Sequence, residues 1–238
     1  MKALIKFLVL ILSLMIPIFG QVSAASSLDN ITKEQIREIK ENLTEMGVDE
    51  KTQNSLINKL KEGQIWDSMN VKMKDKGITN TILKTDANGT KVQSTKTVYP
   101  DGSVNVVNIT IPSPELDSEF SVQDVSGGTA SCGSGYCNYY GVKVDGGNGI
   151  VNASFLADYT FVDGGYDYIS KAYQPRVEVY FGSFSDVTGP VILRAKETSY
   201  QSARAYLKWT FNNDAGSAVQ YLNLDVQQDT ASSSFVTN

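Results

Sequence analysis

The spacing of apolar positions takes three forms along the chain. From Phe7 to Phe19 nearly every residue is apolar, with Lys2 and Lys6 ahead of the run and Pro17 and Gly20 at its end. Val22-Ser23-Ala24 then supplies small residues before Ala25, the order expected of a secretory signal peptide over residues 1–24. A run of about 13 apolar residues is shorter than the ~20 a spanning helix needs. The pattern therefore predicts cleavage and secretion rather than an anchor, with no transmembrane segment left afterwards. From Thr32 the period is helical. Thr32-Lys-Glu-Gln35 is a capping box, Ile36, Ile39, Leu43 and Met46 share a face, and Gly47 supplies a stop. Asp49 opens a second helix whose apolar side is Leu56, Ile57 and Leu60 and whose end is Gly63. Neither helix is long enough to stand alone, so the hairpin must dock, and Trp66 just beyond it is read as a core residue.

From Ile78 the period becomes two. Turn signals at Asn88-Gly89 and Asp101-Gly102 divide a Thr/Val/Ile-rich stretch into a β-meander ending at Ile111. Pro112-Ser-Pro114 and the tract Ser126-Gly-Gly-Thr-Ala-Ser131 then predict a linker over residues 112–131. Beyond it, alternation recurs in Ser154–Phe161, Val177–Phe181, Arg204–Phe211 and Tyr221–Val226. Gly146-Gly147, Gly164-Gly165, Gly189-Pro190 and Asn213-Asp-Ala-Gly216 punctuate these runs. This is the pattern of a mainly β protein. An antiparallel β-sandwich over residues 132–230, with a barrel as the second choice, follows an N-terminal α-hairpin and β-meander over residues 25–111. The Ser-rich residues 231–238 are expected to be a flexible tail.

Composition narrows the chemistry. The chain has no histidine, which excludes Ser-His-Asp and Cys-His dyads and His-ligated zinc. Lys+Arg number 21 against 26 Asp+Glu, and loss of Lys2 and Lys6 with the signal peptide would leave 19 against 26, a charge of −7. No basic run is present in the mature region, so nucleic acid is not an expected partner. The two cysteines, Cys132 and Cys137, sit in a Gly-rich stretch that can turn tightly, and in an exported chain they read as one structural disulfide. A redox dithiol is the alternative, but the spacing is not Cys-x-x-Cys.

Eleven of the twelve tyrosines fall after residue 130. Tyr180, Tyr206 and Tyr221 occupy polar positions of alternating runs, and Arg204 lies among them, as Arg176 and Arg194 do in neighbouring strands. A Tyr face with arginine suits stacking on sugars, protein docking or anionic headgroups. Tyrosines that merely pair across a solvated sheet, and arginines balanced by Glu178, Glu197 or Asp225, are the plainer reading. The candidate binding residues are therefore Tyr180, Tyr206, Tyr221 and Arg204. Asp158, Asp163 and Asp167 match no dense calcium loop, and turn chemistry accounts for Asp163-Gly164-Gly165. Asp158, Glu178 and Glu197 could serve a carboxylate-based glycosidase, but nothing selects a pair. The reading is a non-enzymatic protein with no catalytic residue, metal or cofactor assigned and no oligomeric state set.

Two segments carry a family resemblance. Gly47-Val-Asp-Glu-Lys-Thr-Gln-Asn-Ser-Leu-Ile-Asn-Lys-Leu-Lys-Glu-Gly-Gln-Ile-Trp-Asp-Ser68, followed by Tyr99-Pro-Asp-Gly-Ser103, resembles the leader region of a loosely defined group of secreted proteins of Gram-positive bacilli. The block from Val151 through Tyr168 to Val226 resembles the β-rich portion of that group. One branch is similar to the large heat-labile bacteriocins of the geobacillin type. The resemblance implies an unmodified, secreted antibacterial protein acting on related Gram-positive cells; on that reading the cell envelope or a surface receptor, met through the Tyr-rich face, is the expected partner and the helical segment is a pro-region or chaperone-like arm. No functional residue carries over. The competing expectation is a cell-wall or carbohydrate-binding module without killing activity.

Overall fold

The computed structural model describes residues 31–85, 89–112, 127–214 and 216–238. The expected signal peptide, the turn residue Asn88 and most of the expected linker lie outside these residues. Helix α1 (Lys33–Glu45) and helix α2 (Glu50–Lys61) come first, and two 3-10 segments, Asp67–Met69 and Val71–Lys76, lead into the strands. β1 (Ile78–Thr85), β2 (Lys91–Val98) and β3 (Val104–Ile111) form the meander. β4 (Thr129–Gly133), β5 (Tyr136–Gly147), β6 (Val151–Val162), β7 (Tyr168–Val179), β8 (Ser183–Arg194), β9 (Ala203–Asn213), β10 (Gly216–Gln227) and β11 (Thr230–Thr237) follow. Two antiparallel sheets result, as the alternation predicts. One runs β1-β2-β3-β5-β6-β7 with β4 beside β5; the other runs β11-β10-β9-β8.

The helix ends are built as the sequence indicates. Thr32 Oγ1 accepts from the Gln35 amide at 3.1 Å, while Gln35 Oε1 accepts from the Thr32 amide at 2.9 Å. Asp49 accepts from the Thr52 amide at 3.0 Å. The hairpin docks on the sandwich end where the β2–β3 and β5–β6 turns lie. Ile39, Leu43, Leu56, Ile57, Leu60 and Trp66 join Val144, Phe155, Leu207, Trp209 and Leu222 in one buried cluster. Trp66 Nε1 donates to the Leu56 carbonyl at 2.8 Å, so its one polar atom is satisfied in the core. Gly149 takes a φ of +93°, and a Cβ there would come within 2.7 Å of Leu43 Cδ2, which is why the β5–β6 turn meets the helix through a glycine. Lys96 Nζ donates to the Met46 and Gly47 carbonyls at 2.7 and 3.1 Å and caps α1 from the sheet.

Four expectations need correction. The meander is not separated from the later strands: β3 pairs with β5 from Val106–Gly147 to Ile109–Val144, so the sheet crosses the expected boundary between residues 25–111 and 132–230. The last residues of the expected linker, Thr129 onward, are strand β4. Residues 231–238 are no flexible tail, because β11 pairs with β10 along Thr230–Thr237 and buries Ala231, Phe235 and Thr237. The serines between them take half-buried or exposed positions, and their polarity disguises an alternating strand. Gly189-Pro190 does not end a strand either; it sits inside edge strand β8, where the register with β9 shifts between Thr188 and Val191. A bulge on an edge strand accommodates a proline without breaking the ladder.

One latch ties the hairpin to the meander. In the β2–β3 turn, Asp101 accepts from Lys59 Nζ at 2.9 Å, the Asp67 amide at 3.0 Å, and the Ser103 amide and hydroxyl at 2.9 and 2.6 Å. Burial alone pushes this carboxyl up, but the bonds from Ser103, Asp67 and Lys59 outweigh it and hold the group below its ordinary value. A depressed carboxylate stabilises the fold above its unfolded value, about 4, and that contribution is lost as pH falls through the lower folded value. Wild type is therefore expected to lose stability to acid below about pH 4 more steeply than Asp101→Asn, measured as urea midpoints across pH. Because β3 and the helices complete the core, residues 129–238 expressed alone are expected to bind a hydrophobic dye and lose near-ultraviolet circular dichroism.

Candidate functional site

The end of the sandwich opposite the helices gathers four connections: the β4–β5 tip, the β6–β7 turn, the β8–β9 loop and the β10–β11 turn. Their strands end in glycines and polar residues, Gly133-Ser-Gly135 and Asp163-Gly-Gly165 among them, so the loops rely on side-chain acceptors. Asp167 and Glu197 supply these. Asp167 is almost wholly buried and accepts from the Val162 amide at 2.8 Å and the Asp229 amide at 2.7 Å. Glu197, also buried, accepts from the Asp167 amide at 2.9 Å and the Gln228 amide at 3.1 Å. Two carboxylates thus clamp three loops. Burial pushes the Asp167 carboxyl above its ordinary value, with Glu197 and Asp229 adding to that rise, against the bonds from Val162 and Asp229 that lower it.

On this clamp stand tyrosines with water-facing rings. Tyr136, Tyr166 and Tyr168 are exposed, and Tyr200 is 96% exposed. The Tyr200 loop is not slack: Thr198 Oγ1 accepts from the Gln201 amide at 3.1 Å, and the Tyr166 and Ser199 hydroxyls lie 2.9 Å apart. A shallow cleft of about 430 Å³ opens beside Tyr200 and is lined by Arg194, Ser202, Arg204, Asp225, Gln227 and Ser232. Arg204 forks onto Asp225 at 2.7 and 2.8 Å, and Ser202 Oγ donates to Asp225 at 2.5 Å. An exposed aromatic ring on a braced loop, beside a floor of charged and polar donors and acceptors, can stack on a pyranose face while the floor bonds its hydroxyls.

The residues singled out from sequence are only partly brought together. Tyr206 and Tyr221 lie on one face of the β9–β10 pair, with ring centroids 5.8 Å apart and edge-on packing. Arg204 shares that face and also lines the cleft. Tyr180 does not join them: it follows β7, packs against the core, and its hydroxyl lies 3.3 Å from Asn152 Nδ2. Arg176 is likewise on the other sheet, paired with Glu178 at 2.5 Å. Cys132 and Cys137 face each other across the β4–β5 hairpin and are joined as a disulfide. Tyr136, Tyr166, Tyr168 and Tyr200 were not selected by alternation because they lie in or beside turns. Their sequence signal is position next to glycine and serine, as in Gly165-Tyr166-Asp167-Tyr168.

The carboxylates considered for catalysis or calcium are committed elsewhere. Asp158 accepts from the Gly141 amide at 2.8 Å and the Tyr173 hydroxyl at 3.1 Å, fixing the bulge in β5. Glu178 lies opposite Asn152, six residues from Asp158 along β6, about 20 Å at strand spacing, whereas a glycosidase pair needs roughly 5–10 Å. Among the described residues no group of three or more acidic or cysteine side chains could hold a metal. Asp167→Ala would strand two backbone amides at the clamp. It is expected to cost about 3 kcal/mol in denaturant unfolding, against near zero for Asp163→Ala in the same exposed turn.

Comparison with protein-family models, curated proteins and solved structures finds no match to this chain.

Proposed function

We propose that this is an exported, non-enzymatic protein that acts on the surface of related Gram-positive cells in the manner of a bacteriocin, and that it engages the envelope through the Tyr200 cleft. The observation that carries the recognition step is the clamped end of the sandwich, where a fully exposed tyrosine ring stands over a polar cleft containing Arg204 and Asp225. A loop already braced by its own hydrogen bonds need not be ordered on binding, so the exposed ring it carries can serve as an anchor. The apolar N-terminal run and the disulfide support export. The antibacterial outcome rests on the resemblance of the Gly47–Ser68 and Val151–Val226 segments to secreted proteins of bacilli.

A second reading, a cell-wall or carbohydrate-binding module without killing activity, is favoured by the sugar-sized polar cleft itself. Purified protein spotted on lawns of related bacilli is expected to clear them, and Tyr200→Ala is expected to weaken both clearing and retention on isolated cell walls about tenfold or more. The urea midpoint of Tyr200→Ala should stay at the wild-type value, because the ring contributes nothing to the core. Retention without growth inhibition selects the second reading. Neither clearing nor retention at micromolar protein rejects both.

A further inference from the structure

Among the described residues, three sheet edges carry a device against further pairing. β7 contains Pro175 and two register shifts against β6. β8 contains Pro190 and three register shifts against β9. β4 is five residues long and closed by the disulfide. β11 is unbroken in register with β10, but its outward positions are serine-rich and none of its large apolar side chains is exposed. Such features discourage edge-to-edge association. β1 has none of them. It pairs with β2 alone among the described residues, in unbroken register from Ile78–Val98 to Thr85–Lys91, and every one of its side chains is exposed. Its outer edge is long, regular and free of proline, and its one charge is Lys84.

Three large apolar side chains stand on this edge: Ile78 at 79%, Ile82 at 53% and Leu83 at 63% exposure. Ile78 and Ile82 also line a groove of about 520 Å³ with Met46, Val98 and Val106. The sequence of the strand indicates what covers them. With a two-fold axis at Asn80, antiparallel pairing of β1 with itself sets Ile78 against Ile82 twice on the groove face. On the other face it sets Thr79 against Thr81 twice. Gly77, which has no side chain, falls opposite the bulky Leu83, and Lys84 lies outside the paired stretch, where its long side chain stays in water. Threonine pairs of this kind already join β1 to β2, with Thr79–Thr97 and Thr81–Thr95 hydroxyls 2.9 Å apart.

We infer that β1 is the interface of a two-fold homodimer, in which two copies pair antiparallel through Gly77–Leu83 and join their larger sheets into one. This inference is independent of the Tyr200 cleft. An edge of this length gives an interface at the small end of the range, so the dimer is concentration-dependent in the micromolar regime. Sedimentation of the purified protein is expected to show monomer passing to dimer with concentration. Asn80→Lys, which sets two like charges opposite each other at the axis, is expected to weaken the dimer at least about tenfold, and Asn80→Asp, whose like charges also meet at the axis but which faces Lys96 on β2, is expected to do so without lowering the urea midpoint. Cysteine placement checks the register. Asn80→Cys is expected to cross-link to itself on oxidation, Thr81→Cys alone is not, and a mixture of Thr79→Cys and Thr81→Cys is. A protein that stays monomeric to hundreds of micromolar, a dimer indifferent to Asn80→Lys, or self-linking by Thr81→Cys equal to that of Asn80→Cys would overturn the inference.

Discussion

Four residue pairs between β3 and β5 hold the protein together as one body. Val106–Gly147, Val107–Gly146, Asn108–Asp145 and Ile109–Val144 attach the meander to the strands that follow the interval from residue 113 to 126. The attachment depends on glycine. A Cβ at Gly146 would come within 2.6 Å of Val107 Cγ1 and 3.0 Å of the Val106 carbonyl oxygen, both on β3. Only a bare backbone lets the strands meet here. Once they do, the helical hairpin has a surface to rest on, and Leu43, Trp66, Phe155 and Leu222 belong to one core. A helical hairpin this short has no independent stability in water, so its order follows from that surface.

The two ends of the sandwich solve opposite problems. At the helical end, apolar area is covered by Ile39, Leu43 and Leu56, and the polar seams are sealed by Asp101 and Lys96. At the other end there is no covering element among the described residues, and four connections meet in water. Order there comes from polar bonding instead of apolar burial. Asp167 and Glu197 each join two separate stretches of backbone, and the bonds Ile169 N to Ala195 O and Glu197 N to Asp167 O bind the β6–β7 turn to the β8–β9 loop. Tyrosines carried by such loops stand exposed on a backbone that is held in place, which loose loops could not provide. Buried carboxylates are commonly read as catalytic groups, but here every oxygen of the two is taken by an amide proton, and their work is positional.

The same contrast separates the two aromatic groups of the later strands. Tyr206 and Tyr221 pack edge-on across β9 and β10, so much of their surface is spent on each other. Tyr139, Tyr159 and Phe161 form a further cluster against the core, with burial raising the hydroxyls of Tyr139 and Tyr159 above their ordinary values. The turn tyrosines have no such partners and leave their faces to solvent. Alternation identifies which side of a strand a ring occupies, but availability for binding depends on what lies across from it.

Local information settled much of the architecture. Thr32 and Gln35, Asp49 and Gly63 mark helix ends that form within a few residues, and the alternation around Phe155, Leu207 and Leu222 marks buried faces of single strands. The mainly β class and the sandwich followed from those local periods. Distance along the chain hid the rest. Gly146-Gly147 has the composition of a turn and becomes a close strand contact only when β3 is beside it; the serines of β11 have the composition of a tail and become a strand only when β10 offers its ladder. Asp167, Glu197 and Asp229 are separated by tens of residues and acquire meaning only where three loops converge. The sequence by itself determined which segments could be helix or strand and which side of each would be apolar, because those properties repeat over neighbouring residues. Tertiary structure alone decided that the chain is one sheet-on-sheet body and that its exposed tyrosines gather at one end, because both depend on hydrogen bonds between residues that no local period connects.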